Sequence, residues 1–238
     1  MSFKPENATD RLILPLDVPD VEQARAIVEE TKGVVGTYKV GMQLQFAGGL
    51  AFAEELAKEG HSVFLDVKLL DIDNTIASAV KNISTMGMRF VTLHAYPKTM
   101  RAAVAALKET GNKDLCLLGV TVLTSMDQRD LVDAGYKDQI PELVSNRTKD
   151  AAAAGMGGVV CSPMEASDVR NRFGEQLAIV TPGVRPTGSS VGDQKRIMTP
   201  QNAIQAGSDY LVIGRPILNA GDRRLAAQKI VEEIAAAL

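Results

Sequence analysis

Residues 63–71 read Val-Phe-Leu-Asp-Val-Lys-Leu-Leu-Asp, an apolar strand pattern that runs straight into alternating charge. Strand side chains alternate with a period of two, so Asp66 and Lys68 share the face that carries Phe64. Asp71 falls past the end of that strand, and spacing alone does not bring it to the pair. Burying opposite charges costs on the order of several kcal/mol per ion, and apolar residues of similar volume are often more stable in their place. Stability is therefore a poor reason for the array, and chemistry is a better one. A lysine flanked by carboxylates has its charged form favoured, which makes it a proton donor rather than a Schiff-base nucleophile. A cationic acid beside a fixed anion suits a reaction in which a group leaves carbon, negative charge appears there and a proton quenches it. Decarboxylation has that form.

The elements that must position these residues follow from the hydropathy pattern. Short aliphatic runs at 12–16, 36–40, 62–66, 90–94, 115–122, 157–160, 177–181 and 210–213 predict eight strands. Segments of helical period at 21–31, 44–58, 74–86, 99–109, 144–154, 164–173, 199–206 and 223–237 predict the helices between them. Gly60, Gly87, Gly111, Gly155, Gly174 and Gly207 stand where helices should stop. Eight successive βα units without a linker favour an α/β fold of the (β/α)8 TIM-barrel type, one domain over residues 1–238. An open dinucleotide-binding sheet would want a Gly-rich turn after its first strand, where Asp17-Val18-Pro19 stands instead.

In such a barrel, chemistry belongs at the carboxyl ends of the strands. Asp17, Lys39, Asp66, Lys68, His94, Thr124, Gly183, Gly214 and Arg215 fall there. Singly each has a bland explanation, since a strand-end Asp often caps the next helix and a lone His is often a core residue. Lys39, on the strand beside Asp66, is placed to join the charged pair. Gly183, Gly214 and Arg215, in the loops after strands 7 and 8, suit a phosphate cradle of backbone N–H groups and a forked cation. Residues 187–194 are polar with two glycines and read as a mobile lid.

Composition narrows the rest. The net charge is −3, with Lys and Arg scattered, so no footprint for nucleic acid exists. The polar N-terminus and the lack of an apolar run near 18 residues predict a cytoplasmic chain with no membrane partner. Cys116 and Cys161 sit in apolar runs and read as buried spectator thiols. His61 and His94 are the two histidines, so no structural zinc site is expected and any metal would need carboxylates.

Together these segments resemble the orotidine 5′-phosphate decarboxylase family over nearly the whole chain. The likeness is carried by Leu16-Asp17, Tyr38-Lys39-Val40-Gly41, the run from Phe64 to Ile72, Thr121-Val122-Leu123-Thr124-Ser125, Thr181-Pro182-Gly183-Val184-Arg185-Pro186, Gly192-Asp193-Gln194 and Ile213-Gly214-Arg215-Pro216. The resemblance implies conversion of orotidine 5′-monophosphate (OMP) to UMP in pyrimidine biosynthesis, with no cofactor and no metal. It implies that Lys68 protonates C6 of the pyrimidine, that Asp66 sits against the departing carboxylate, and that Lys39 contacts the ribose. It further implies a homodimer with a shared site, in which Asp71 and Thr75, on the segment with Ile72 and Asn74, enter from the partner subunit. By the same likeness Asp17 binds a ribose hydroxyl, Thr124 lies by the base, and Gln194 on the lid bridges base and phosphate. Arg185, Gly214 and Arg215 then serve the phosphate.

Two departures stand out. Asp73 replaces the proline of the usual Ile-Pro-Asn-Thr, and since Asp also suits a helix N-terminus the motif is expected to survive. Ala95-Tyr96-Pro97-Lys98 lacks the small Gly-rich stretch many relatives carry. Two other readings compete. One is a magnesium-dependent β-keto sugar phosphate decarboxylase or hexulose phosphate synthase, which shares the Asp-x-Lys-x-x-Asp run but would want carboxylates where Lys39 stands. The other is a non-catalytic barrel that binds a phosphorylated ligand.

Overall fold

Eight short parallel strands close on themselves in chain order in the computed structural model, which describes residues 3–186 and 198–238. They are β1 (Leu12–Pro15), β2 (Thr37–Val40), β3 (Ser62–Leu69), β4 (Phe90–His94), β5 (Cys116–Val120), β6 (Gly158–Val160), β7 (Ala178–Pro182) and β8 (Tyr210–Val212). The pairing of Ile13 with Val212 joins the last strand to the first. The helices are α1 (Val21–Thr31), α2 (Met42–Leu44), α3 (Leu50–Lys58), α4 (Asp73–Ile83), α5 (Pro97–Thr110), α6 (Gln128–Asp133), α7 (Ile140–Ala154), α8 (Pro163–Phe173), α9 (Pro200–Gln205), α10 (Arg215–Leu218) and α11 (Arg223–Ala235). The chain is a (β/α)8 TIM barrel. Among the described residues no helix is long and apolar enough to cross a membrane.

Strand periodicity divides the core into two layers. Leu12, Leu14, Val63 and Leu65 face outward and pack with helix residues such as Ile27, Val80 and Ile230. Ile13, Phe64, Phe90, Cys116, Leu118, Val180 and Tyr210 fill the barrel interior. Phe90 meets Phe64 and Tyr210 edge to face, with centroids 5.8 and 5.1 Å away, the arrangement that aromatic quadrupoles favour. Asp66 is thus the residue that follows Phe64 on the inward face.

The N-terminal end of the barrel is closed by chain rather than by chemistry. Tyr210 Oη donates to the Phe3 carbonyl at 3.2 Å, and the Arg89 guanidinium lies 4.8 Å from the Phe3 ring centroid. Lys4 and Arg170 both pair with the buried Asp209, at 2.8 and 2.7 Å. These contacts at the N-terminal end serve stability, which leaves the opposite end for function.

All six glycines expected to stop helices have positive φ. The helix expected over 44–58 is corrected: it is two helices separated by a π turn over Gln45–Gly49, where Gly48 has φ +89°. The strand expected over 115–122 is shorter, and β3 is longer than expected, running to Leu69. Two helices were not anticipated, α6 and α10. The first is held by a capping box between Asp127 and Asp130, and the second begins at Arg215, directly after β8 and Gly214. Asp73 opens α4 as expected of the replaced proline, and Lys98 pairs with it at 3.3 Å.

Candidate active site

A cavity of about 870 Å³ opens at the carboxyl ends of the strands, and its floor is a row of alternating charge. Lys39 Nζ lies 3.3 Å from Asp17 Oδ1 and 3.4 Å from Asp66 Oδ2. Lys68 Nζ lies 2.8 Å from Asp66 Oδ1. The row therefore reads Asp17, Lys39, Asp66, Lys68, with Asp66 shared between two ammonium groups. The register that pairs Pro15 with Lys39 and Lys39 with Phe64 sets this order across three strands. Gly41 leaves the room: a Cβ there would stand 2.7 Å from Lys39 Nζ and 3.1 Å from Asp17 Oδ1.

Asp66 and Lys68 do share a face, but not through a straight strand. Five residues of β3, from Leu65 to Leu69, stand against only three of β4, from Val91 to Leu93. The excess is a bulge, a device that re-aims side chains near functional sites. Lys68 has φ +49° and is the one non-glycine residue with positive φ among the described residues. Its backbone N–H donates to Thr92 Oγ1 at 3.0 Å, and Thr92 Oγ1 donates to Asp66 Oδ1 at 2.8 Å. Gln45 Nε2 donates to the Asp66 carbonyl at 3.4 Å.

Burial opposes ionisation of Asp66, but the charges of Lys39 and then Lys68, with hydrogen bonds from Lys68 and Thr92, hold its carboxyl below the usual carboxylate range. His94 is pushed down by burial first, then by Arg147 and Lys68. Both shifts make stability fall with falling pH. Asp66 contributes in full above its ordinary value of 3.8, and that contribution is lost as pH drops through the lower folded value. His94 takes up its proton in the unfolded chain at about its ordinary 6.5 and in the folded chain only below that. The urea midpoint should decline as pH is lowered below 6.5, with His94→Gln flattening that first part of the decline; an identical slope in the variant removes His94 from this role.

At the other side of the cavity, Gly183, Arg185, Gly214 and Arg215 line the wall between β7 and β8. Arg185 is buried, with Nη1 donating to the Val184 carbonyl at 2.8 Å, whereas Arg215 is exposed. Thr124 is buried and lines the same cavity. Gln194 and the lid expected over 187–194 lie outside the described residues. Asp71, Ile72, Asn74 and Thr75 are not in this cavity; Asp71 and Ile72 are exposed, and Asp71 Oδ1 accepts the Ile72 N–H at 2.6 Å. Both cysteines are buried, and burial raises the Cys116 thiol far above its ordinary range, in keeping with a spectator.

Sequence reasoning missed Thr92 and Gln45, and it quoted Gly41 without assigning it a role. For Thr92 a signal existed: it follows the inward Phe90 by two, so a polar side chain enters the barrel there. The unread departure at Tyr96 also gains a meaning. Its hydroxyl lies 2.8 Å from that of Tyr136, and the Arg147 guanidinium lies 5.2 and 5.3 Å from the two ring centroids. The stack ties the β4 end to α7 and to the segment before it, and its cation–π contacts are each worth about 0.5–1 kcal/mol.

The fold and this site define a barrel enzyme with a lysine–carboxylate centre in a cavity whose far wall carries Gly183, Arg185, Gly214 and Arg215. The profile of the orotidine 5′-phosphate decarboxylase / HUMPS family matches residues 10–230, and the chain belongs to that family. It is similar to orotidine 5′-phosphate decarboxylase from Lactobacillus acidophilus, at 31% identity and TM-score 0.82, over 94% of this chain and 98% of that one. An uncharacterized conserved protein from Geobacillus kaustophilus matches at 31% identity and TM-score 0.81, over 94% and 99%. Orotidine 5′-phosphate decarboxylase from Pyrococcus horikoshii matches at 27% identity and TM-score 0.74, over 94% and 98%.

Proposed function

We propose that the chain decarboxylates OMP to UMP and CO2, the last step of de novo UMP synthesis, without a cofactor. The observation that carries the reading is the Asp17–Lys39–Asp66–Lys68 row at the floor of the cavity. In this reading the C6–carboxylate bond breaks, its electron pair stays on C6, CO2 departs, and Lys68 Nζ delivers a proton to C6. Asp66 faces the substrate carboxylate and Lys39 the ribose, with Asp17 on a ribose hydroxyl and Thr124 by the base. Two unit charges about 4 Å apart repel by roughly 4 kcal/mol at an effective dielectric near 20. At 1.36 kcal/mol per tenfold, that repulsion yields about three powers of ten. The larger share comes from holding the carbanion against a fixed ammonium in a water-excluded site, and from phosphate binding energy.

Arg185, Gly214 and Arg215, with Gln194 from the lid, take the phosphate. Arg215→Ala should raise KM for OMP by roughly ten- to a hundredfold, as loss of a charge-assisted contact worth about 1.5–3 kcal/mol implies, with a smaller change in kcat. An unchanged KM removes Arg215 from the phosphate site.

The site is completed in a homodimer by Asp71 and Thr75 of the partner, with Ile72 and Asn74 beside them. Leu70 and Ile72, which flank Asp71, are 52% and 71% exposed, a cost that a partner surface would relieve. An enzyme of nucleotide synthesis with these features belongs in the cytoplasm, as a single domain. The magnesium-dependent sugar phosphate reading is disfavoured by donor chemistry: among the described residues the two carboxylates that line the cavity each contact an ammonium group, and no group of three His, Cys, Asp or Glu suited to a metal occurs. The test is to follow loss of orotate absorbance when the purified chain meets OMP in EDTA. Turnover is expected; no turnover of OMP but magnesium-dependent conversion of a β-keto sugar phosphate favours the first rival, and neither activity favours a binding barrel.

A further inference from the structure

Thr92 is 1% exposed on β4, outside the cavity, yet its hydroxyl joins both members of the reacting pair. It accepts the Lys68 backbone N–H at 3.0 Å and donates to Asp66 Oδ1 at 2.8 Å, the same oxygen that Lys68 Nζ reaches at 2.8 Å. A hydroxyl has one proton and two lone pairs, so it can fill both roles at once. No backbone carbonyl or amide could do so.

The contact falls where the chain is strained. A non-glycine residue in the left-handed region costs about 1–3 kcal/mol and persists only where its surroundings over-determine it. Lys68, at φ +49°, is such a residue, and it sits within the bulge that faces Thr92. An extended β3 would send Lys68 along the strand with an ordinary ladder partner. Instead its N–H turns to a side chain, and that side chain in turn grips the carboxylate beside it.

We propose that Thr92 is a positioning residue: its hydroxyl holds the Lys68 backbone in the left-handed conformation and fixes the Asp66 carboxylate, so that ammonium and carboxylate are presented to the cavity as one rigid pair. The inference rests on the reading of Lys68 as the proton donor. Asp66 is also faced by Lys39 from β2 and, beyond it, Asp17; His94 on β4, with Arg147 behind it, is the nearby titratable group on the strand of Thr92. The lysines supply charge to Asp66, whereas Thr92 supplies direction, and its hydrogen bond also favours the ionised carboxyl.

Two variants separate the hydroxyl from the rest of the side chain. Thr92→Val keeps the shape and removes the hydroxyl; Thr92→Ser keeps the hydroxyl and removes the methyl. Crystal structures and steady-state kinetics with OMP are to be compared with the wild type. In Thr92→Val, Lys68 should leave the positive-φ region. Its kcat should fall roughly ten- to a hundredfold, the fold-change expected for a buried donor left without its acceptor, while KM stays within about threefold. The acid limb of kcat/KM should move to higher pH as Asp66 loses a hydrogen bond to its charged form. Thr92→Ser should keep the Lys68 conformation and a kcat within about threefold of wild type. A Thr92→Val protein with Lys68 φ and kcat unchanged overturns the proposal, and so does a Thr92→Ser protein as impaired as Thr92→Val, which would assign the effect to methyl packing. If the wild type does not turn over OMP, the functional reading fails, and the crystal structures alone still decide whether Thr92 holds Lys68.

Discussion

Lys68→Ala should abolish turnover of OMP, by more than about four powers of ten, while leaving the barrel folded. General acid catalysis contributes roughly 10²- to 10⁴-fold and a preorganised charge against the developing carbanion a comparable factor, and this one ammonium supplies both. The fold does not depend on it. Lys68 is 27% exposed at the end of its strand, and Asp66 retains Lys39 at 3.4 Å when Lys68 is removed. The expected pair of results is a silent enzyme and a thermal midpoint within a few degrees of wild type, read by absorbance assay and circular dichroism. Near-normal activity in Lys68→Ala would sink the assignment of the proton donor.

The second large effect concerns the partner. Lys68→Ala and Asp71→Ala chains should each be nearly inactive alone, yet co-refolded in equal amounts they should recover about a quarter of wild-type activity. Random pairing in a two-fold dimer makes half the dimers mixed, and each mixed dimer holds one site with an intact Lys68 from one chain and an intact Asp71 from the other, so about one site in four is whole. Asp71 stands outside the cavity of its own chain, between two exposed apolar residues, which is where a residue lent to a neighbour would be found. A co-refolded sample as silent as its parents, or full activity in Asp71→Ala alone, would place Asp71 outside the site.

Much of this was legible in residue order. Phe64 and Asp66 lie on one face because strands have period two, and the barrel followed from eight such runs separated by helical period and glycine stops. The failures have physical causes. The helix expected from Leu44 breaks at Gly48 because an apolar period does not register one residue of positive φ. The short helices α6 and α10, of six and four residues, are too short to show a period, and only α6 carries a capping box. Lys68 was placed on the correct face for an incomplete reason, since a bulge that adds two residues preserves the alternation while changing the backbone. Thr92 could be flagged as inward but not matched to Lys68, because that pairing depends on the register shift between β3 and β4. The role proposed for Asp71 would depend on a second chain, which no intrachain period encodes.

The reaction in D2O with EDTA present, followed by NMR of the nucleotide, tests the central claim most directly. The expected result is UMP carrying one deuterium at C6, formed by the wild type and not by Lys68→Ala. Unconverted OMP, or conversion that requires added magnesium, would contradict it.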